Sequence, residues 1–81
     1  MSPDSAPLSP DPRAVLVREV PIELAQFLKF GGLAETGGAA KQVIGAGLVS
    51  LNGVVETRKG KKLAAGDQVT LDGKTIVVQV R

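Results

Sequence analysis

Apolar residues fall in short, strand-like runs near both ends of the chain and recur at helical spacing between them. Residues 14–18, Ala-Val-Leu-Val-Arg, are aliphatic and β-branched and predict a first strand, which Val20-Pro21 interrupts. Pro21 suits the first turn of a helix. Over residues 22–30, Leu24, Phe27 and Leu28 stand at i, i+3 and i+4, so one helical face is apolar, and Gly31-Gly32 supplies a stop. A second helix is predicted from Thr36, a good N-cap, through the stripe Ala39, Ala40, Val43 and Ile44, with Gly47 closing its C-terminus. Gly37 and Gly38 weaken its first turn by roughly 1 kcal/mol each relative to Ala, which suggests close backbone approach there, by the neighbouring helix or by a phosphate.

The remainder has β periodicity. Residues 48–51 and 54–56 flank Asn52-Gly53, the strongest short-range hairpin signal, because both turn residues tolerate positive φ. A basic loop over residues 58–62 follows, then Leu63, a turn at residues 65–67, a strand over 68–71, a turn at Asp72-Gly73 and a last strand over 75–80. This order predicts an α+β domain, two short helices packed on one face of a small, mainly antiparallel sheet. Residues 1–13 hold four of the five prolines, alternate them with Ser and Asp, and lack apolar periodicity. They are expected to form a disordered arm before a single domain over residues 14–81.

Composition narrows the chemistry. With 81 residues and no Cys, one thin core must hold without disulfides. No secretory leader is visible, so a cytoplasmic setting is expected, and no apolar run approaches the ~20 residues that cross a bilayer. His is also absent, which removes Ser-His and Cys-His nucleophile activation and histidine metal ligation. The carboxylates sit in separate turns and strand ends with no acid-base pairing, and the glycines of residues 31–38 match no nucleotide-binding fingerprint. A non-catalytic chain without cofactor, metal or small-molecule substrate is expected. Net charge is only +2, yet Arg58, Lys59, Lys61 and Lys62 fall within five positions. An isolated charge run is usually a solvated surface, but like charges crowded in one loop are relieved by a bound anion. Arg58 can grip a phosphate bidentately, while the lysines act as point charges.

Ala40-Lys41 with Ile44, then Gly47-Leu48-Val49-Ser50-Leu51-Asn52-Gly53, then Gly66-Asp67-Gln68-Val69 follow one another in an order and spacing that resembles the S-four (S4) RNA-binding domain, whose fold is also called the alpha-L motif. With the preceding helix the resemblance covers residues 15–80, and the stretch over residues 56–59 looks like that of the small stand-alone bacterial members, the YbcJ type. The resemblance implies binding of structured RNA, often ribosomal, through the two helices and the adjoining hairpin, with Lys41, Asn52 and Gly53 matching the motif directly. Where the commoner family pattern has basic residues at the start of both helices, this chain has residues 21–24 and Thr36-Gly37. That departure moves weight onto Arg58, Lys59, Lys61 and Lys62.

On the residues alone, Lys41 is a surface lysine at the edge of the apolar stripe, and Asn52 is a turn residue first. Without Trp or Tyr, and with Phe27 in the core stripe, a stacking platform for unpaired bases is not expected, which leaves phosphate and 2′-hydroxyl contacts on a folded RNA. No helix carries the row of polar side chains that reads base edges in a DNA major groove. A monomer is expected. The competing reading is a protein-interaction module that docks through an exposed sheet edge.

Overall fold

Residues 12–81 are described by a computed structural model, so the expected arm lies outside the described residues except for its last two positions. The first strand, β1 (Arg13–Val17), begins one residue before the aliphatic run. Arg13 stands in register with Ile76, and its guanidinium donates to the Gly31 carbonyl, so this residue belongs to the fold and not to the arm.

The first helix is shorter than its apolar spacing suggests. Residues 22 and 23 form a strand, β2 (Ile22–Glu23), and α1 covers Leu24–Phe30. Pro21 therefore precedes a strand and does not sit in a helical turn. The reason is a distant partner: β2 pairs antiparallel with β5 (Lys62–Leu63), setting Ile22 opposite Leu63 and Glu23 opposite Lys62. Local periodicity cannot register a ladder whose other half lies 39 residues away.

The second helix, α2 (Gly37–Gly45), is capped as expected. Thr36 is extended at φ −140° and its hydroxyl accepts the Ala39 N–H at 3.0 Å. At the other end Gly47, one residue past the C-cap, takes the positive φ of 79° that a left-handed stop requires. The expected approach of the neighbouring helix to Gly37 and Gly38 is absent: a Cβ built on Gly37 meets nothing within 4 Å, and one on Gly38 only the Thr36 hydroxyl at 3.9 Å.

Five strands form one sheet in the order β1-β7-β6-β3-β4, with β3 (Val49–Leu51), β4 (Val54–Val55), β6 (Gln68–Leu71) and β7 (Lys74–Val80). Three pairings are antiparallel, as expected, and β1 joins β7 in parallel, which makes the sheet mixed. Both tight hairpins take positive φ at their two central residues, Asn52 (52°) with Gly53 (85°) and Asp72 (55°) with Gly73 (79°), the geometry that matches strand twist. Side chains alternate across the sheet, so Val15, Val17, Val49, Val69, Ile76 and Val78 are buried. Leu24, Phe27 and Leu28 of α1 and Ala40 and Ile44 of α2 complete the same core. The helices thus occupy one face of the sheet, an α+β arrangement that leaves α1 and α2 side by side at the surface.

Candidate functional site

The basic loop is anchored by its own backbone. Glu23, the residue before α1, provides no side-chain cap, and the first helical N–H groups are met instead from residues 59 and 61. Leu24 N–H donates to the Lys61 carbonyl at 2.9 Å and Ala25 N–H to the Lys59 carbonyl at 3.2 Å, satisfying donors that a helix start leaves open. Leu63, fully buried, pins the far end of the loop. The loop backbone consequently lies against the start of α1, where the Lys62 ammonium meets Glu23. Lys59 and Lys62 are exposed and Lys61 is partly buried.

Glu23 links the basic loop to a hollow between the two helices. Its carboxylate accepts from the Lys62 ammonium at 3.1 Å, in a pair that is 50–61% exposed. It also borders a hollow of about 260 Å³ between α1 and α2, shared with Gln26, Lys29, Gly37 and Lys41. Lys62 thus pairs with Glu23 at one side of this hollow, and Lys29 and Lys41 contribute to its walls. Exposed pairs of this kind are worth about 0–1 kcal/mol, so an incoming anion can replace the carboxylate at little cost.

Arg58 is less available than its position in the charge run suggests. Its guanidinium donates from Nε to Glu56 Oε2 at 2.9 Å and from Nη2 to Oε1 at 3.3 Å, while its backbone N–H reaches Oε2 at 3.1 Å. These hydrogen bonds to Arg58 hold the Glu56 carboxyl below its ordinary range and raise the Arg58 guanidinium.

Comparison with known proteins identifies the family. The S4 domain family model matches residues 15–79. This chain belongs to the S4 domain family. YbcJ of Escherichia coli (strain K12) is 42% identical over 57 residues, 70% of this chain and 81% of that protein. RlbA of Bacillus subtilis (strain 168), named as a probable ribosome maturation protein, is 38% identical over 52 residues, 64% of this chain and 73% of the relative. The solution structure of E. coli YbcJ, described as revealing an alfa-L motif involved in RNA-binding, superposes with a TM-score of 0.63 at 38% identity, covering 80% of this chain and 84% of the other.

Of the residues expected from the sequence, Lys62 pairs with Glu23, Lys41 lines the hollow that Glu23 borders, and the backbones of Lys59 and Lys61 dock on the start of α1. Asn52 and Gly53 have a different setting. Asn52 Oδ1 accepts the Gln68 N–H at 2.9 Å and its Nδ2 donates to Asp67 Oδ1 at 3.2 Å, while Asp67 Oδ2 accepts the Ala64 N–H at 2.9 Å. Both polar ends of the Asn52 side chain are thus engaged in fastening the hairpin to the turn before β6. Lys29 escaped the sequence reading because a lone lysine in a helix resembles any solvated charge. Its position next to Leu28, at the border of the apolar stripe, was the available signal.

Proposed function

We propose that this S4 domain is a non-catalytic module that binds structured RNA in the cytoplasm, with ribosomal RNA as the first target to test. The groove in which Lys29 and Lys41 flank the α1–α2 hollow beside Lys62 is the observation that carries the reading. Phosphates would lie along it, with Lys59, Lys61 and Arg58 extending the field and Asn52-Gly53 shaping the hairpin that follows α2. The family, the alfa-L motif of the E. coli relative and the ribosome-maturation name of the B. subtilis relative support the same direction.

The test is binding of a ribosomal RNA hairpin at several salt concentrations. Replacing Lys29, Lys41, Lys59, Lys61 and Lys62 with Ala, singly and together, should weaken binding, and each lost phosphate contact should reduce the slope of log affinity against log salt by roughly 0.7–0.9. Lys74 serves as control, because it lines a separate hollow with Leu33, Val43, Leu48 and Leu71. Parental affinity and slope in the combined variant would overturn the reading. A second reading, docking of a protein through a sheet edge, rests on Val54 and Val55, which are 69% and 58% exposed on the edge strand β4. It predicts binding that salt hardly alters.

A further inference from the structure

Phe30 is the last residue of α1 and is 59% exposed, although aromatic side chains usually bring their large apolar area into a core. It borders a hollow of about 200 Å³ together with Arg18, Glu19, Pro21, Ile22 and Gln26. Gln26 also lines the groove that holds Lys29 and Lys41, so the two hollows meet across one side chain, and Lys29 directly precedes Phe30 in the helix. Arg18 has no ion-pair partner among the described residues.

We infer that the Phe30 hollow is a stacking subsite for an unpaired nucleobase that flanks the structured RNA held in the lysine groove. The inference rests on the RNA-binding reading and adds a ligand to it. Phe30 offers a ring face, and the Arg18 guanidinium a second planar cationic surface, the two side-chain types on which unstacked bases settle. Gln26 carries both a donor and an acceptor for a base edge. Glu19 gives the site its polarity: its carboxylate repels a phosphate inside the hollow and accepts hydrogen bonds from exocyclic amino groups. The base is therefore directed inward and its phosphate outward, toward Lys29. A single exposed apolar side chain is ordinary on a protein surface. An aromatic one set between a free guanidinium and a basic groove is a chemically matched site for a nucleotide.

The absence of Trp and Tyr makes the test direct, since Phe30→Trp introduces the only indole of the chain. Binding is measured for a ribosomal RNA hairpin with blunt ends and for the same hairpin carrying one unpaired adenosine at either end. The unpaired base should tighten binding roughly fivefold or more. Phe30→Ala and Phe30→Leu should both abolish that gain while leaving blunt-hairpin affinity and the thermal midpoint unchanged. Indole emission of Phe30→Trp should be quenched by the adenosine and not by an abasic nucleotide in its place. A blunt hairpin that binds with no gain from the unpaired base overturns the subsite alone. Failure of every hairpin to bind overturns the RNA reading and the subsite together. Retention of the gain in Phe30→Leu would show an apolar contact and no stacking. A change in indole emission on deleting residues 1–11 would make the chain's own N-terminal segment the occupant.

Discussion

Asn52 combines two demands that few residues meet together. It holds φ at 52°, and its amide spans Gln68 and Asp67 while its backbone N–H donates to the Gln68 carbonyl at 2.7 Å. Asn52→Ala loses both side-chain bonds and places a Cβ residue without them in the left-handed region, so it should destabilise the domain by about 1–3 kcal/mol in urea denaturation. Asn52→Gly keeps the backbone geometry and should cost less. Any loss of RNA affinity by the folded Asn52→Gly variant would assign the side chain a contact of its own. Glu56 and Arg58 make a second residue-level case. Because the folded carboxyl titrates below its ordinary value, the pair contributes stability above the unfolded pKa and loses it as pH falls through the folded pKa. In Arg58→Ala the Glu56 titration, followed by NMR, should move upward toward the ordinary carboxylate range.

At the scale of elements, α1 starts where two distant carbonyls meet its first N–H groups, and the basic loop keeps its shape because those carbonyls are its own. Loop and helix define each other. Lysine side chains at positions 59 and 61 can consequently be removed without loosening the loop, since its anchors are main-chain atoms. At α2, Gly37 borders the lysine groove, has no positive φ and leaves open space where a Cβ would go. Gly37→Ala should therefore stabilise the domain by up to about 1 kcal/mol, read as a higher thermal midpoint. A simultaneous fall in RNA affinity would mean that glycine is there to let the ligand approach the backbone.

For the whole molecule, parallel pairing of β1 with β7 joins the two ends of the folded chain, and β2 with β5 ties the helix start to the loop. Leu63 is where the second of these links enters the core, at zero exposure. Leu63→Ala should cost about 2–5 kcal/mol, a large share of the stability of so small a domain, measurable by chemical denaturation. Pre-binding RNA should recover part of the loss, because a ligand of the folded state shifts the unfolding equilibrium by mass action.

The residues legible in advance were those whose conformation depends on near neighbours. Thr36 caps its helix through a residue three positions on, Asn52-Gly53 and Asp72-Gly73 impose their turns through local φ, and the stripes at Leu24, Phe27 and Leu28 and at Ala40 and Ile44 follow helical spacing. The order of these signals, with the motif from Ala40 to Val69, was enough to indicate the α+β fold and the S4 family. Whatever depends on a partner far along the chain was decided by the tertiary structure. Ile22 and Glu23 became a strand because Leu63 and Lys62 offered a ladder, and Arg13 joined the sheet because Ile76 lay beside it. Likewise Lys29 joined Lys41 only when two helices packed side by side, Arg58 turned to Glu56, and Phe30 stayed at the surface while Phe27 went inside. The sequence specifies local torsions and apolar faces; which charges share a surface depends on how those faces meet.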